Sequence, residues 1–109
     1  MKKKYILLLI FTLSSLFSKT IDAQKTVTGK QVFETYCWGC HHQTAVAFGP
    51  PFSEIASKRS ADEIRAMITD PKSVSKVFKY KRNAMPKIPL KEEELDAITK
   101  YILSYKDKK

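Results

Sequence analysis

Every cysteine and every histidine of this chain falls within six consecutive positions, Cys37-Trp38-Gly39-Cys40-His41-His42. So dense a cluster restricts the fold to those that can bring a helix end or a loop onto a chemical site. Two cysteines separated by two residues close too short a loop to stabilise a domain as a disulfide. Three chemistries fit the residue types: a dithiol redox pair, a metal site, or covalent attachment of haem.

The first segment, MKKKYILLLIFTLSSLFSKTIDAQ, sets the compartment. Three lysines, an apolar run from Tyr5 to about Phe17 and a small residue at Ala23 have the layout of a secretory signal peptide over residues 1–23. The run is shorter than the roughly 20 apolar residues a spanning helix needs; the alternative is a retained membrane anchor, since Ile21 is bulky for a cleavage site. In both readings the domain from residue 24 to residue 109 is exported, and the expected location is the periplasm.

That domain of 86 residues is one unit. At this size a chain buries only about 60% of its unfolded surface, so an apolar cofactor would supply much of the missing core. The pattern is helical. Val32, Phe33, Tyr36 and Cys40 recur at helical spacing and predict a first helix from Gly29 to His41 that carries the cysteines on its end. A loop is expected from His42 to about Ser57, punctuated by Gly49-Pro50-Pro51. Ser60-Ala61-Asp62-Glu63 reads as a capping box opening a helix that presents Ile64, Met67 and Ile68 and stops at Pro71. From Lys72 to Leu90 a helical turn and an extended loop follow. The last helix begins with Glu92, Glu93 and Glu94, which suit its dipole, and carries the stripe Leu95, Ile98, Tyr101, Ile102 and Tyr105, with Lys106, Lys108 and Lys109 at its end. No run alternates as a strand, and the expected class is all-α.

The helical pattern decides among the chemistries. Thioredoxin-type dithiols stand at the start of a helix after a strand, whereas this pair ends a helix. Structural zinc takes four N/S ligands, commonly in two separated pairs, and no distant Cys or His exists here. Cys37-Trp38-Gly39-Cys40-His41 is the C-x-x-C-H haem attachment signature: two thiols about a turn apart add across the two porphyrin vinyl groups, and the next imidazole points at the iron. A second axial ligand must come from Met67 or Met85. Met67 falls on the apolar face of its helix, in step with Ile64 and Ile68, which suits core packing. Met85 lies in the loop Asn83-Ala84-Met85-Pro86, where proline fixes the backbone beside it, and is the expected distal ligand.

Taken together, these features resemble a small class I cytochrome c of the bacterial type, across essentially the whole exported domain. The resemblance implies three to five helices wrapped around one covalently bound haem c, attached at Cys37 and Cys40 and ligated by His41 and Met85. It implies that Gly29 and Phe33 cross the last helix at Ile98 and Tyr101. It implies that the Pro50 carbonyl accepts from the His41 Nδ1–H, although Pro51 doubles the usual single proline. Asn83 could hydrogen-bond the Met85 sulfur, as an amide does in some relatives, or be a turn residue. Lys91 stands where a Ser, Thr or Asp cap is usual. Trp38 is read as packing on the porphyrin edge, with partner docking as the alternative.

With both axial sites filled, such a protein moves single electrons and is not an enzyme; methionine beside histidine raises the potential. Burial by Phe48, Phe52, Ile55, Ile64, Ile68, Ile88 and Leu95 would raise it further. The chain's formal charge is +9, and six cationic residues, Lys72, Lys76, Lys79, Lys81, Arg82 and Lys87, fall in one short interval. Lys79, Lys81, Arg82 and Lys87 bracket Met85 and are expected to meet the acidic face of a redox partner, a reductase, dehydrogenase or terminal oxidase; the alternative is a merely solvated face. Export argues against nucleic acid. The expected molecule is a monomeric carrier without a membrane span after cleavage. The alternatives are a haem-bearing subunit of a dehydrogenase or oxidase, and a reactive haem protein with an open sixth site.

Overall fold

The computed structural model describes residues 26–109; the expected signal segment, its cleavage point and the anchor alternative lie outside them. Thr28 opens the first helix. Its hydroxyl accepts from the Gln31 amide (3.2 Å) while the Gln31 side chain accepts from the Thr28 amide (3.0 Å), a reciprocal cap that satisfies two N–H groups the helix itself cannot. Helix α1 (Gly29–Val32) then runs directly into a π-helical segment, Phe33–Cys37. The Trp38 amide reaches back five residues to the Phe33 carbonyl (2.9 Å), and the Thr35 hydroxyl donates to the Gln31 carbonyl (2.8 Å).

The π turn corrects the expected first helix. Helical geometry ends at Cys37, with Trp38 as its C-cap, instead of running to His41. One extra residue in the turn shifts the side-chain phase, so Phe33 is buried and Cys37 half-buried while Tyr36 is exposed. Single π turns are often found at functional sites, and here the widened turn carries the first cysteine.

The loop after His42 is shorter than expected. Pro51 is not inside a loop but at the N-cap of α2 (Phe52–Lys58), where a missing N–H costs nothing. The first amides of α2 donate back to that loop, Phe52 to the His42 carbonyl and Ser53 to the Gln43 carbonyl, both at 2.9 Å. Helix α3 (Ala61–Thr69) carries the expected capping box between Ser60 and Glu63. Pro71 ends α3 as expected, and the helical turn expected after it is a seven-residue helix, α4 (Pro71–Val77), which begins at that proline and is capped by Asp70. Helix α4 ends in a Schellman motif: Lys79 adopts φ 60°, and the Lys79 and Tyr80 amides close on the Lys76 and Ser75 carbonyls. An extended loop follows to α5 (Glu92–Leu103), whose Lys91 amide donates to the Glu94 carboxylate (2.9 Å) in place of a hydroxyl cap. Tyr105 and the terminal lysines lie beyond this helix. Among the described residues there is no strand.

The core joins α1, α2, α3 and α5 through Val32, Phe33, Phe52, Ala56, Ile64, Ile68, Leu95, Ile98 and Ile102. The α1–α5 crossing is close because Gly29 has no side chain: a Cβ there would stand 2.3 Å from Tyr101 Cβ and 2.5 Å from the Ala97 carbonyl. Phe33 packs on Tyr101 (ring centroids 5.8 Å) and edge-on to Phe52 (5.2 Å), and Phe52 meets Tyr101 at right angles. Arg65 on α3 donates to both Glu92 and Asp96, clamping α3 to α5.

Candidate functional site

A cavity of about 660 Å³ opens between this core and the loop after α4, within the range of small-molecule and cofactor sites. Cys37, Cys40 and His41 line one part of it, and Met85 and Met67 also reach it. Phe52, Ile55, Ile64, Ile68 and Ile88 supply apolar wall. The cavity is therefore a greasy slot carrying two thiols, an imidazole and two thioethers. Leu95, expected on this wall, is buried in the core and does not line it. Phe48 lines it but is 79% exposed.

His41 is fixed by its backbone surroundings. Its own amide and that of Cys40 donate to the Cys37 carbonyl (2.9 and 3.1 Å), wrapping the chain tightly after the π turn. Its ring Nδ1–H donates to the Pro50 carbonyl at 2.7 Å, the geometry expected from Gly49-Pro50, and Pro51 takes no part. With Nδ1 donating to a carbonyl, Nε2 carries the free lone pair of the neutral ring. Gly49 makes this approach possible, because a Cβ there would lie 2.7 Å from His41 Cε1 and 3.0 Å from Nδ1. The imidazole stacks beside Phe52, linking it to the aromatic core.

The two cysteines are free thiols. Burial, reinforced by the neighbouring Cys40, pushes the Cys37 thiol up to about 11, opposite to the lowered value a redox nucleophile needs. Among the described residues no three His, Cys, Asp or Glu side chains gather into a metal-binding group. Both competitors of haem attachment thus lack support in the geometry.

The opposite side is built differently. Met85, half-buried, sits in the extended loop, and Asn83 lines the cavity beside it without a hydrogen bond to its sulfur. Met67, expected in the core, is only half-buried and faces the cavity from α3. Of the four cations expected around the site, Lys81 and Arg82 line its rim, whereas exposed Lys79 and Lys87 do not. Trp38 is 61% exposed.

No motif points to Arg59, which lines the cavity after α2. Its guanidinium lies 3.5 Å above the Phe78 ring and donates to the Tyr80 hydroxyl (3.2 Å). Those partners are about twenty residues away in the chain, beyond the reach of any local pattern. Glu63 completes the group at 3.4 Å from Arg59. Its carboxyl is held below the usual range mainly by the Ser60 backbone amide, with smaller help from Arg59.

Comparison with known proteins agrees with this geometry. The sequence model of the cytochrome c family matches residues 26–106. A relative, "Cytochrome c6-like" of Nostoc sp. (strain PCC 7120 / SAG 25.82 / UTEX 2576), is 24% identical over 111 residues, covering 96% of this chain and 93% of its own. No solved structure matches. The residues present suit the family's cofactor: apolar walls for a macrocycle, two thiols for its vinyl groups, and a histidine whose outer nitrogen is already engaged. No helix of the described residues is long and apolar enough to cross a membrane. This chain belongs to the cytochrome c family, as a small all-α electron-carrier cytochrome with covalently bound haem c.

Proposed function

We propose that this cytochrome is an exported, freely diffusing carrier of single electrons between periplasmic or respiratory-chain partners with acidic docking faces. One observation carries the reading: Cys37, Cys40, His41 and Met85 line the same cavity, and the Pro50 carbonyl holds His41 Nδ1 so that Nε2 is left to bind iron. Haem supplies the one-electron ferric/ferrous couple. Cys37 and Cys40 would hold it through thioether bonds, each S–H adding across a vinyl double bond. His41 would hold the iron through Nε2, and its hydrogen bond to the Pro50 carbonyl makes the imidazole a stronger donor. Met85 would hold it from the loop with a weakly donating thioether, which favours ferrous iron. With His41 and Met85 both engaged in this way no place would be left for a substrate, so the residues would position and insulate rather than transform.

Phe52, Ile55, Ile64, Ile68 and Ile88 exclude water from the ring and disfavour the extra charge of the ferric state. Lys81 and Arg82 at the rim, with Lys79 and Lys87 nearby in sequence, give the exposed edge a positive field that attracts an acidic partner. Residues 1–23 serve as the signal peptide, and the released domain is a monomer. The second reading rests on Met67, which shares the cavity: were it the ligand, α3 would hold the iron and the Met85 loop would be a lid. The carrier function is tested by electron-transfer rate against ionic strength with an acidic-faced redox protein. The rate falls as salt rises, and falls less steeply in K81Q/R82Q; a flat dependence in the native protein would remove the docking assignment.

A further inference from the structure

The His41 ring is held by more than its hydrogen bond. The bond from Nδ1–H to the Pro50 carbonyl (2.7 Å) leaves Nε2 as the free nitrogen. A carbonyl accepts a donor over a broad range of directions, however, and the last torsion of a histidine side chain has no sharp minima. That bond alone leaves the ring free to rock about its Cβ–Cγ axis. Two further contacts remove the freedom. Gly49 lies along one edge, where a Cβ would stand 2.7 Å from Cε1 and 3.0 Å from Nδ1. Phe52 lies beside the face, with ring centroids 5.9 Å apart and planes inclined by 25°.

Phe52 is suited to pass on a direction because its own is imposed from outside. Pro51 at the N-cap starts α2 at this residue, the Phe52 amide is bonded to the His42 carbonyl at 2.9 Å, and the side chain is 1% exposed. Phe33 from the π turn meets its ring at 5.2 Å and 67°, and Tyr101 from α5 meets it at 6.1 Å and 90°, edge-to-face arrangements that aromatic quadrupoles favour. Tyr105, beyond α5, approaches at 6.5 Å and shares a hydrogen bond with Tyr101 through their hydroxyls (3.2 Å). A column of rings thus runs from the end of α5 to the imidazole.

We propose that Phe52 is a positioning residue for the iron ligand: it sets the plane of the His41 imidazole from the crossing of α1 and α5, and through that plane the side of the macrocycle from which an electron leaves. The proposal rests on the haem reading above. An imidazole that binds iron through Nε2 has its π orbital perpendicular to its ring, and that orbital overlaps one of two iron d orbitals that a four-fold macrocycle would leave equivalent. The plane of the ring therefore chooses which d orbital is half-filled in the ferric state, and the unpaired density spreads toward the matching pyrroles. Fixing such an orientation is the protein's share of a site whose electron chemistry belongs to the cofactor. A leucine at position 52 would fill much of the same volume and present no flat face, so space-filling and plane-setting are separable by mutation.

The test is the proton NMR spectrum of the ferric haem-bearing protein, in which unpaired density displaces the ring-methyl resonances and their spread reports how firmly the imidazole plane is fixed. The variants are F52L, Y101L, G49A and I98V, each first checked for covalent haem by its alkaline pyridine spectrum. F52L narrows the spread, because the released imidazole samples a range of planes. Y101L, acting through Phe52, narrows it less, and gives the same reading were F52L not to fold. G49A displaces the methyl pattern by pressing on Cε1 directly. I98V thins the core at a fully buried position outside the cavity and leaves the pattern native. The iron–methionine band is native in all of them, which keeps the change on the histidine side. A haem-bearing F52L with the native spread would overturn the proposal. So would equal narrowing in F52L and I98V, which would reduce Phe52 to core packing, or a native pattern in G49A, which would show that the surroundings of His41 do not set its plane. Absence of covalent haem from the native chain would instead overturn the haem reading itself.

Discussion

The two sides of the cavity are built by different means. On the histidine side, the π turn, the hydrogen bond from His41 to Pro50 and the α2 amides bonded to the His42 and Gln43 carbonyls form a continuous scaffold. It rests on the Phe33–Phe52–Tyr101 aromatic cluster. On the methionine side, the chain from Lys81 to Lys87 makes no backbone hydrogen bond as donor; it meets the body through a long one from Ile88 to the Ile68 carbonyl (3.4 Å) and through apolar packing of Met85, Ile88 and Leu90 on the core. The proposed histidine ligand is thus positioned by hydrogen bonds of the protein itself, whereas the proposed methionine ligand is carried by a loop with few backbone bonds of its own. Preorganisation on one side suits a site that must present thiols and imidazole for attachment. Adaptability on the other suits a ligand that closes afterwards.

The largest expected break in this contrast comes from its rigid half. Phe52→Ala removes the ring that joins α1, α5 and His41 and lowers stability by about 3–5 kcal/mol in thermal or urea unfolding. A loss below about 1 kcal/mol would mean that the aromatic cluster is not the scaffold. The contrast itself is sharpened by amide hydrogen exchange on the haem-free and haem-bearing protein. The Phe52 and Ser53 amides are protected in both, and those of residues 81–87 gain protection on the order of tenfold or more only with haem. Equal protection of the loop in both forms would remove the distinction. The smallest expected effect lies at the hinge between α4 and the loop. Lys79 occupies the left-handed position of a Schellman motif that glycine fills at no steric cost, so Lys79→Gly raises stability by about 0.5–1 kcal/mol. A destabilised variant would show that the lysine side chain holds the turn.

The same contrast governs what could be read from sequence. The cysteine motif, the Gly29 crossing, the Ser60–Glu63 cap and the apolar stripe of α5 depend on spacings within one element or on a residue type with a single geometric use, and these were legible. The π turn was not, because Val32, Phe33, Tyr36 and Cys40 fit ordinary helical spacing until one residue is inserted into the turn. Helix α2 was hidden by Pro50-Pro51, since a proline that ends one helix pattern and one that begins another look alike in sequence. Met67 shared the apolar phase of Ile64 and Ile68, yet the side of α3 between them faces the cavity rather than the core. Arg59 depended on a meeting with Phe78 and Tyr80 that only tertiary structure creates.

The proposed iron ligands are the prebuilt His41 and the loop-borne Met85. The most direct measurement is the ferric optical spectrum of the haem-bearing protein beside M85A and M67A. Covalent haem is expected in all three, with the weak low-spin iron–methionine band present in the native protein and M67A and lost in M85A. Persistence of the band in M85A with its loss in M67A would contradict ligation by Met85 and move the ligand to α3.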